Sequence, residues 1–297
     1  MVRRLMVTSP NECRRFARHT YGVYRRARPQ SWAMPVDLLE VPDELPRRCS
    51  LSRLGELVPA GHALFDRVME SGCSLGLSEP ELVGVAMAIN SVEVDAGRFD
   101  AVLTIWRAVE SVSLEDYVCR SIVRRFLAQS LSRVGQHTEA RALGATAILE
   151  AQRSRRTDVL SDAYYINAWC AEQRGGFDRA YAMARLGLDA AERGDSHTRL
   201  IDCLNAVGSY AAELGRLDEA EVSCTRAADM ASTCGATKSQ LAALDSLADI
   251  ARIRGDRGRV IELLEQVRAG LVSLSETYHL ADVDQRLESA RTLAASV

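Results

Sequence analysis

The sequence predicts an all-α protein, a solenoid of stacked antiparallel helix pairs. Two observations support this fold class. A short glycine-centred pattern recurs along most of the chain at a nearly constant interval, and all seven prolines lie within the first 80 of the 297 residues. Because proline lacks the amide donor of a helix and clashes with the preceding turn, the rest of the chain is free to be continuously helical.

The repeated pattern is a helix end, a glycine and the start of a new helix. It reads DAGRFDAV, RVGQHTEA, QRGGFDRA, ELGRLDEA and IRGDRGRV, with a weaker copy, RLGELVPA, near the front of the array. The central glycines are Gly55, Gly97, Gly135, Gly175, Gly215 and Gly255. The last four are 40 residues apart. Such a regular interval predicts one supersecondary unit copied along the chain.

Each copy predicts two helices joined by a tight turn. Glycine ends a helix because it adopts the left-handed cap conformation without steric penalty. An acidic residue soon after it favours the positive end of the next helix, as at Glu139, Asp178 and Asp218. Five places after the glycine stand small or β-branched residues that permit close helix crossing: Ala140, Ala180, Ala220 and Val260. One such hairpin cannot bury its apolar face alone, so neighbouring copies must stack.

This pattern resembles the tetratricopeptide repeat (TPR) family. Seven places before the glycines, where that family prefers a small residue, stand Asn90, Ala128, Ala168, Gly208 and Ala248. The interval is longer than the family's usual repeat of about 34 residues, and the closing proline is absent. The sequence is therefore similar to the longer bacterial variety found in MalT-type and SARP-type activators and in Rap/PlcR peptide receptors. The resemblance implies a right-handed superhelix with the first helix of each pair lining its concave face.

Three segments are expected from these features. Residues 1–50 form a basic, proline-interrupted N-terminal segment, residues 51–275 form the repeat array, and residues 276–297 form a C-terminal capping helix. Apolar residues at positions 280, 283, 287, 290 and 294 give this last helix one buried face, and charged residues, including Arg286, cover its other faces.

Charge, hydrophobicity and cysteine content indicate the cellular compartment and the state of the thiols. The net charge is −3, yet residues 1–28 hold eight arginines and one acidic residue. No apolar run is long enough for a membrane span or a signal peptide, so we expect a cytoplasmic protein without a membrane partner. The eight cysteines form no C-x-x-C pair, and Cys170 and Cys203 fall in mostly apolar repeat columns, which predicts free thiols in the core.

The sequence contains few motifs of the kind that form catalytic, phosphate-binding or metal-binding sites. The only lysine, Lys238, is not part of a phosphate-binding loop, no H-E-x-x-H or G-x-S-x-G motif occurs, and the five histidines are scattered singly. We therefore expect no catalytic residue, no metal site and no cofactor. An enzyme is the less favoured interpretation, because only residues brought together from distant repeats could form a catalytic pair.

The candidate binding residues follow from the resemblance. It implies that positions thirteen, ten and six places before each glycine line the groove. In the three central repeats the informative residues are Arg125, Gln129, Asp162, Tyr165, Trp169, Asp202, Asn205 and Ser209. Asn167 joins this set because it replaces an apolar residue of the inter-helix column. Two interpretations stay open: these side chains hold a ligand, or the aromatic rings pack on a neighbouring helix and Asn167 makes a local hydrogen bond.

The first functional hypothesis is a non-enzymatic interaction or regulatory protein of a bacterium that binds a peptide or protein segment in its concave groove. An alternative is a DNA-associated transcriptional regulator that uses the arginine-rich residues 1–28, although this segment could equally dock on the acidic remainder of the chain. Another alternative is a pathway enzyme or small-molecule-binding protein in which Asp162, Asp202 or Tyr165 handles protons. A homodimer formed through the irregular front end is also possible.

Overall fold

A computed structural model of the chain describes residues 78–95, 98–274 and 279–295. Eleven helices and no strand are found in these ranges. They are α1 (Glu79–Asp95), α2 (Phe99–Glu110), α3 (Tyr117–Arg133), α4 (His137–Ser154), α5 (Thr157–Glu172), α6 (Phe177–Glu192), α7 (His197–Glu213), α8 (Leu217–Thr233), α9 (Thr237–Arg254), α10 (Arg257–Ser273) and α11 (Leu280–Ala295). The expected N-terminal segment 1–50 and the turn glycines Gly55 and Gly97 lie outside the described residues.

The chain divides into two compact units between Arg174 and Gly175. In the first unit consecutive helices pack on each other from α1 to α5, and α3 also packs on α5. In the second unit the same holds for α6 to α11, and α7 also packs on α9. Each unit is therefore a stack of antiparallel helix pairs, and the all-α solenoid fold of the TPR type is confirmed.

The predicted turn glycines end helices as expected. Gly135, Gly175, Gly215 and Gly255 all have positive φ, between 69° and 78°. At Gly135 the amide donates to the carbonyl of Ser132, and the next amide, of Gln136, donates to the carbonyl of Leu131. These two hydrogen bonds satisfy carbonyl groups at the end of α3, which is how a left-handed residue closes a helix. The residues five places later, which the sequence analysis expects at helix crossings, are all buried.

The core of the first unit is built around a stacked aromatic pair. The rings of Trp106 in α2 and Phe126 in α3 lie parallel, with centroids 4.8 Å apart. The indole nitrogen of Trp106 donates to the side-chain oxygen of Asn90, at 2.7 Å. Because the polar end of this buried indole has its hydrogen bond, the whole residue can leave water without an unsatisfied donor.

The core of the second unit is made mostly of small residues between the helix pairs and of larger aliphatic residues towards its C-terminal end. Leu263 and Leu264 in α10 and Val283 and Leu287 in α11 are almost fully buried. Four of the apolar positions predicted for the last helix, 280, 283, 287 and 290, therefore lie on the face that α11 packs against this core.

Four of the five cysteines within the described ranges are buried free thiols: Cys119, Cys170, Cys203 and Cys224. The expectation that Cys170 and Cys203 fill the core is confirmed. Burial raises the pKa of Cys170 to about 11 and that of Cys224 to about 12. Cys234 differs because its side chain is exposed, next to His197.

We expect a short iodoacetamide pulse at about pH 8 to alkylate Cys234 and to leave Cys170 and Cys224 unmodified, because the thiolate is the reactive form. Peptide mass mapping measures this. The two buried thiols ionise less readily in the folded protein than in the unfolded chain. The stability that burial of the neutral thiols contributes is therefore fully present below the pKa of an unfolded thiol, about 8.5. It is lost as the pH rises towards their folded pKa values. Equal labelling of Cys224 and Cys234 in the native protein would contradict this expectation.

Candidate functional site

Three predicted binding residues lie half-buried on two helices of the first unit. Gln129 lies on α3, and Tyr165 and Trp169 lie one turn apart on α5. We call these three residues the first-unit face. The amide and the two aromatic rings are thus carried by two helices that pack directly on each other.

Trp169 is partly covered by an arginine that the sequence analysis did not single out. The guanidinium of Arg133, in the last turn of α3, lies 5.0 Å from the centroid of the Trp169 ring and 4.9 Å from that of Phe99. A cation over an aromatic face is attracted by the ring quadrupole, so this contact covers one face of the indole and favours its observed position. Arg133 is the one basic residue in the last turn of α3, but the repeat pattern does not show that it approaches the ring of Trp169.

Arg125 and Asp162 are not part of an open surface. Their side chains are only 6% and 9% exposed, and the guanidinium of Arg125 in α3 forms an ion pair with the carboxylate of Asp162 in α5. Arg125 also lies over the ring of Phe126. The expectation that these two charges line the groove is corrected: each binds the other because a buried charge requires an opposite charge nearby.

Asn167 lies between two helices instead of on the first-unit face. Its side chain is 9% exposed, and its amide nitrogen donates to the carbonyls of Gly144 in α4 and Ala163 in α5, at 3.0 and 2.8 Å. The local hydrogen bond considered from the sequence is therefore the observed arrangement. Because both donors of this buried amide have acceptors, Asn167 does not need a ligand to complete its hydrogen bonds.

The second unit carries its own set of predicted residues on α7. Asp202, Asn205 and Ser209 are half-buried there. We call these three residues the second-unit face. Their positions on one side of the helix agree with the spacing that the resemblance implied.

The second-unit face is tied to neighbouring helices by hydrogen bonds. The hydroxyl of Ser239 donates to Asp202 at 3.1 Å, and the hydroxyl oxygens of Ser209 and Ser246 are 2.9 Å apart, which links α7 to α9 in both cases. The thiol of Cys224 in α8 donates to the side-chain oxygen of Asn205. The amide nitrogen of Asn205 is then the group that this residue can offer to a ligand as a donor.

The residues of α9 that lie one repeat after Asn205 and Ser209 are Asp245 and Asp249, and both form ion pairs with the last helix. Arg286 of α11 contacts Asp245 at 2.7 Å and Asp249 at 3.2 Å. Burial raises the pKa of Asp245, and the positive charge of Arg286 opposes this shift. The expectation that Arg286 belongs to an outer charged face is corrected, since it lies half-buried against α9.

The described residues contain no group of three or more side chains arranged to hold a metal ion. In the same ranges of the chain, no helix has the length and apolar character that crossing a bilayer requires. Asp162 and Asp202, the carboxylates considered for proton transfer, already have partners: Asp162 binds Arg125, and Asp202 binds Ser239 and Arg199.

Comparison with known proteins identifies the fold. No protein-family model and no curated protein match the sequence. Among solved structures, BtubC from P. vanneervenii is similar over 76% of this chain and 93% of its own, with 14% identity and a TM-score of 0.59. A STAND signal-transduction ATPase with a TPR sensor from Pyrococcus horikoshii is similar over 96% of this chain and 44% of its own, with 13% identity and a TM-score of 0.60.

A Rap protein complexed with Competence and Sporulation Factor is similar over 82% of this chain and 72% of its own, with 15% identity and a TM-score of 0.52. At these identities the likeness establishes the fold. It agrees with the helix pairs, the left-handed turn glycines and the 40-residue interval described above. The chain therefore has the fold of the TPR proteins.

Proposed function

We propose that this protein is a non-enzymatic interaction protein that binds an extended peptide or protein segment on the first helices of its pairs. The observation that carries the proposal is the first-unit face, where two aromatic rings and an amide lie half-buried on adjoining helices. Aromatic rings supply large contact areas at low entropic cost, and an amide can both donate to and accept from a peptide backbone.

The polar second-unit face suits the same kind of ligand. Asn205 offers an amide donor, and the half-buried carboxylate of Asp202 is held in place by Ser239 on one oxygen and by Arg199 on the other. Side chains held in place before binding lose little entropy when a ligand arrives. Each unit thus presents an ordered set of groups that can recognise an extended chain.

The similar solved structures support this proposal at the level of the fold. One of them is a Rap protein complexed with Competence and Sporulation Factor. We propose a regulatory role in the cytoplasm of a bacterium, in keeping with the sequence-based expectation. The free thiols within the described ranges support a reducing compartment.

The proposal predicts that peptides selected on the wild-type protein lose about tenfold or more in affinity when an anchor of the face they bind is replaced by alanine, Trp169 for the first-unit face or Asn205 for the second-unit face. The reason is that truncated anchors at a binding face cost over 1 kcal/mol. Peptide display followed by fluorescence anisotropy measures the effect. Leu149→Ala is the matched control, since this exposed leucine of α4 belongs to neither face. Binders that tolerate both anchor substitutions would refute the assignment of these faces.

A further inference from the structure

A charged surface separate from the first-unit face lies at one edge of the first unit, where α3 and α5 begin and α4 ends. It consists of Tyr117, Arg120, Arg153, Arg155 and Arg156, and we call it the basic edge. The guanidinium groups of Arg120 and Arg153 lie 4.5 and 5.9 Å from the centroid of the Tyr117 ring. Tyr117 is itself 40% exposed, so the ring brings the cations from two different helices together at the surface.

Arg155 adopts a backbone conformation that favours glycine. Its φ is 56° and its ψ is 18°, in the left-handed region, directly after α4. It is the only non-glycine residue with positive φ in the described part of the chain. Two 40-residue intervals later the equivalent position, after α8, is occupied by Gly235 with φ of 67°.

Glycine would close the turn after α4 without the steric cost that an L-residue has in this region. Strain that is retained at a non-glycine residue points to a role for its side chain. At this position the side chain supplied is an exposed guanidinium. The backbone conformation of Arg155 therefore indicates that its guanidinium has a binding role.

The cations of the basic edge are only partly neutralised within the protein. Arg120 pairs with Glu150 and Arg156 pairs with Asp158, each at 3.0 Å. Among the described residues, neither Arg153 nor Arg155 has a carboxylate partner, and Arg153 contacts the Tyr117 ring instead. Two exposed guanidinium groups close together in the chain thus keep their hydrogen-bond donors available.

We propose that the basic edge is a docking site for an acidic protein segment that carries aspartate or glutamate side chains. The guanidinium group matches a carboxylate because its planar donors can form two parallel hydrogen bonds. A nucleic acid fits less well, since it requires a continuous row of cations along its phosphates. Here two of the four arginines already bind carboxylates, so the row of available cations is short.

The test uses the full chain and a short fluorescein-labelled oligoglutamate peptide, followed by fluorescence anisotropy at low ionic strength. Wild type is expected to bind, and Arg155→Gly and Arg153→Gln are each expected to weaken binding by about fivefold. Arg141→Gln is the matched control, because Arg141 is an exposed arginine at the opposite end of α4. Thermal unfolding of Arg155→Gly is expected at the wild-type temperature or above, since glycine relieves the strained backbone.

This design separates binding from folding. A variant that is at least as stable as wild type and binds the acidic peptide less well supports the docking site. Oligoglutamate binding that is absent in wild type, or that falls equally in Arg141→Gln, overturns it. A duplex DNA probe that binds more tightly and with the same dependence on Arg153 and Arg155 overturns it in favour of a nucleic acid site.

Discussion

Asp162→Ala is expected to destabilise the first unit by about 3–5 kcal/mol, because it leaves the buried guanidinium of Arg125 without its carboxylate. The two side chains are 6% and 9% exposed, so water cannot replace the missing partner fully. Urea denaturation measures the loss, and hydrogen exchange of peptides from α3 and α5 locates it in this unit. Arg125→Ala is expected to be similarly harmful, since it strands the carboxylate instead.

A matched control lies on the same helix. Asp158 pairs with Arg156, but these side chains are 31% and 32% exposed. An exposed pair contributes less than about 1 kcal/mol, so Asp158→Ala is expected to cost little. If Asp162→Ala costs no more than Asp158→Ala, the Arg125–Asp162 pair is not desolvated as described, and Asp162 returns to the set of residues open to a ligand.

The double variant Arg125→Met/Asp162→Leu tests the same pair from the other side. Replacing both members of a buried ion pair by apolar residues of similar size is often neutral or stabilising. We therefore expect its stability to lie much closer to wild type than that of either single alanine variant. If this variant also keeps its affinity for selected peptides, the pair supports the first-unit face without contacting the ligand.

The turn glycines and the helix pairs could be predicted because they depend on local chemistry. Gly135 ends α3 through its own conformational freedom, and Ala140 is a small residue at a buried position of α4. These requirements recur in each repeat and leave the same residue type at the same position. Periodicity in the sequence therefore reports them directly.

The depth of each candidate site residue could not be predicted in the same way. The repeat spacing places Arg125 and Asp162 on the face that the resemblance assigns to the groove, yet it carries no information on how close adjacent helices lie. A signal was present nevertheless. Opposite charges stand at these positions of two consecutive first helices, which is the pattern of a cross-helix ion pair.

The contact between Asn167 and Gly144 could not be predicted from the repeat spacing either. Nine places after the turn glycines stand Gly144, Ala184, Cys224 and Leu264, so the residue of α4 is the smallest in its column. A larger polar residue in α5 and a missing side chain in α4 compensate each other. Such compensation becomes visible only when the two helices are known to face each other at these residues.

Gly144→Ala is expected to destabilise the first unit by about 2–4 kcal/mol. An added Cβ would lie 2.3 Å from the side-chain oxygen of Asn167 and 2.9 Å from its Cγ. Overpacking costs about 1–3 kcal/mol, and displacing Asn167 loses the hydrogen bonds to Gly144 and Ala163, which adds a similar amount. The better helix propensity of alanine returns only about 1 kcal/mol, so the clash decides the sign.

Gly258→Ala is the control, because its added Cβ would meet only Asp256, at 3.8 Å. It is expected to be neutral or slightly stabilising. The double variant Gly144→Ala/Asn167→Ala removes both the clash and the amide, so it should be more stable than Gly144→Ala alone and depart clearly from additivity. Additive losses would mean that the two residues act independently. Asn167 would then need another explanation, and a role in ligand binding would again be the one to test.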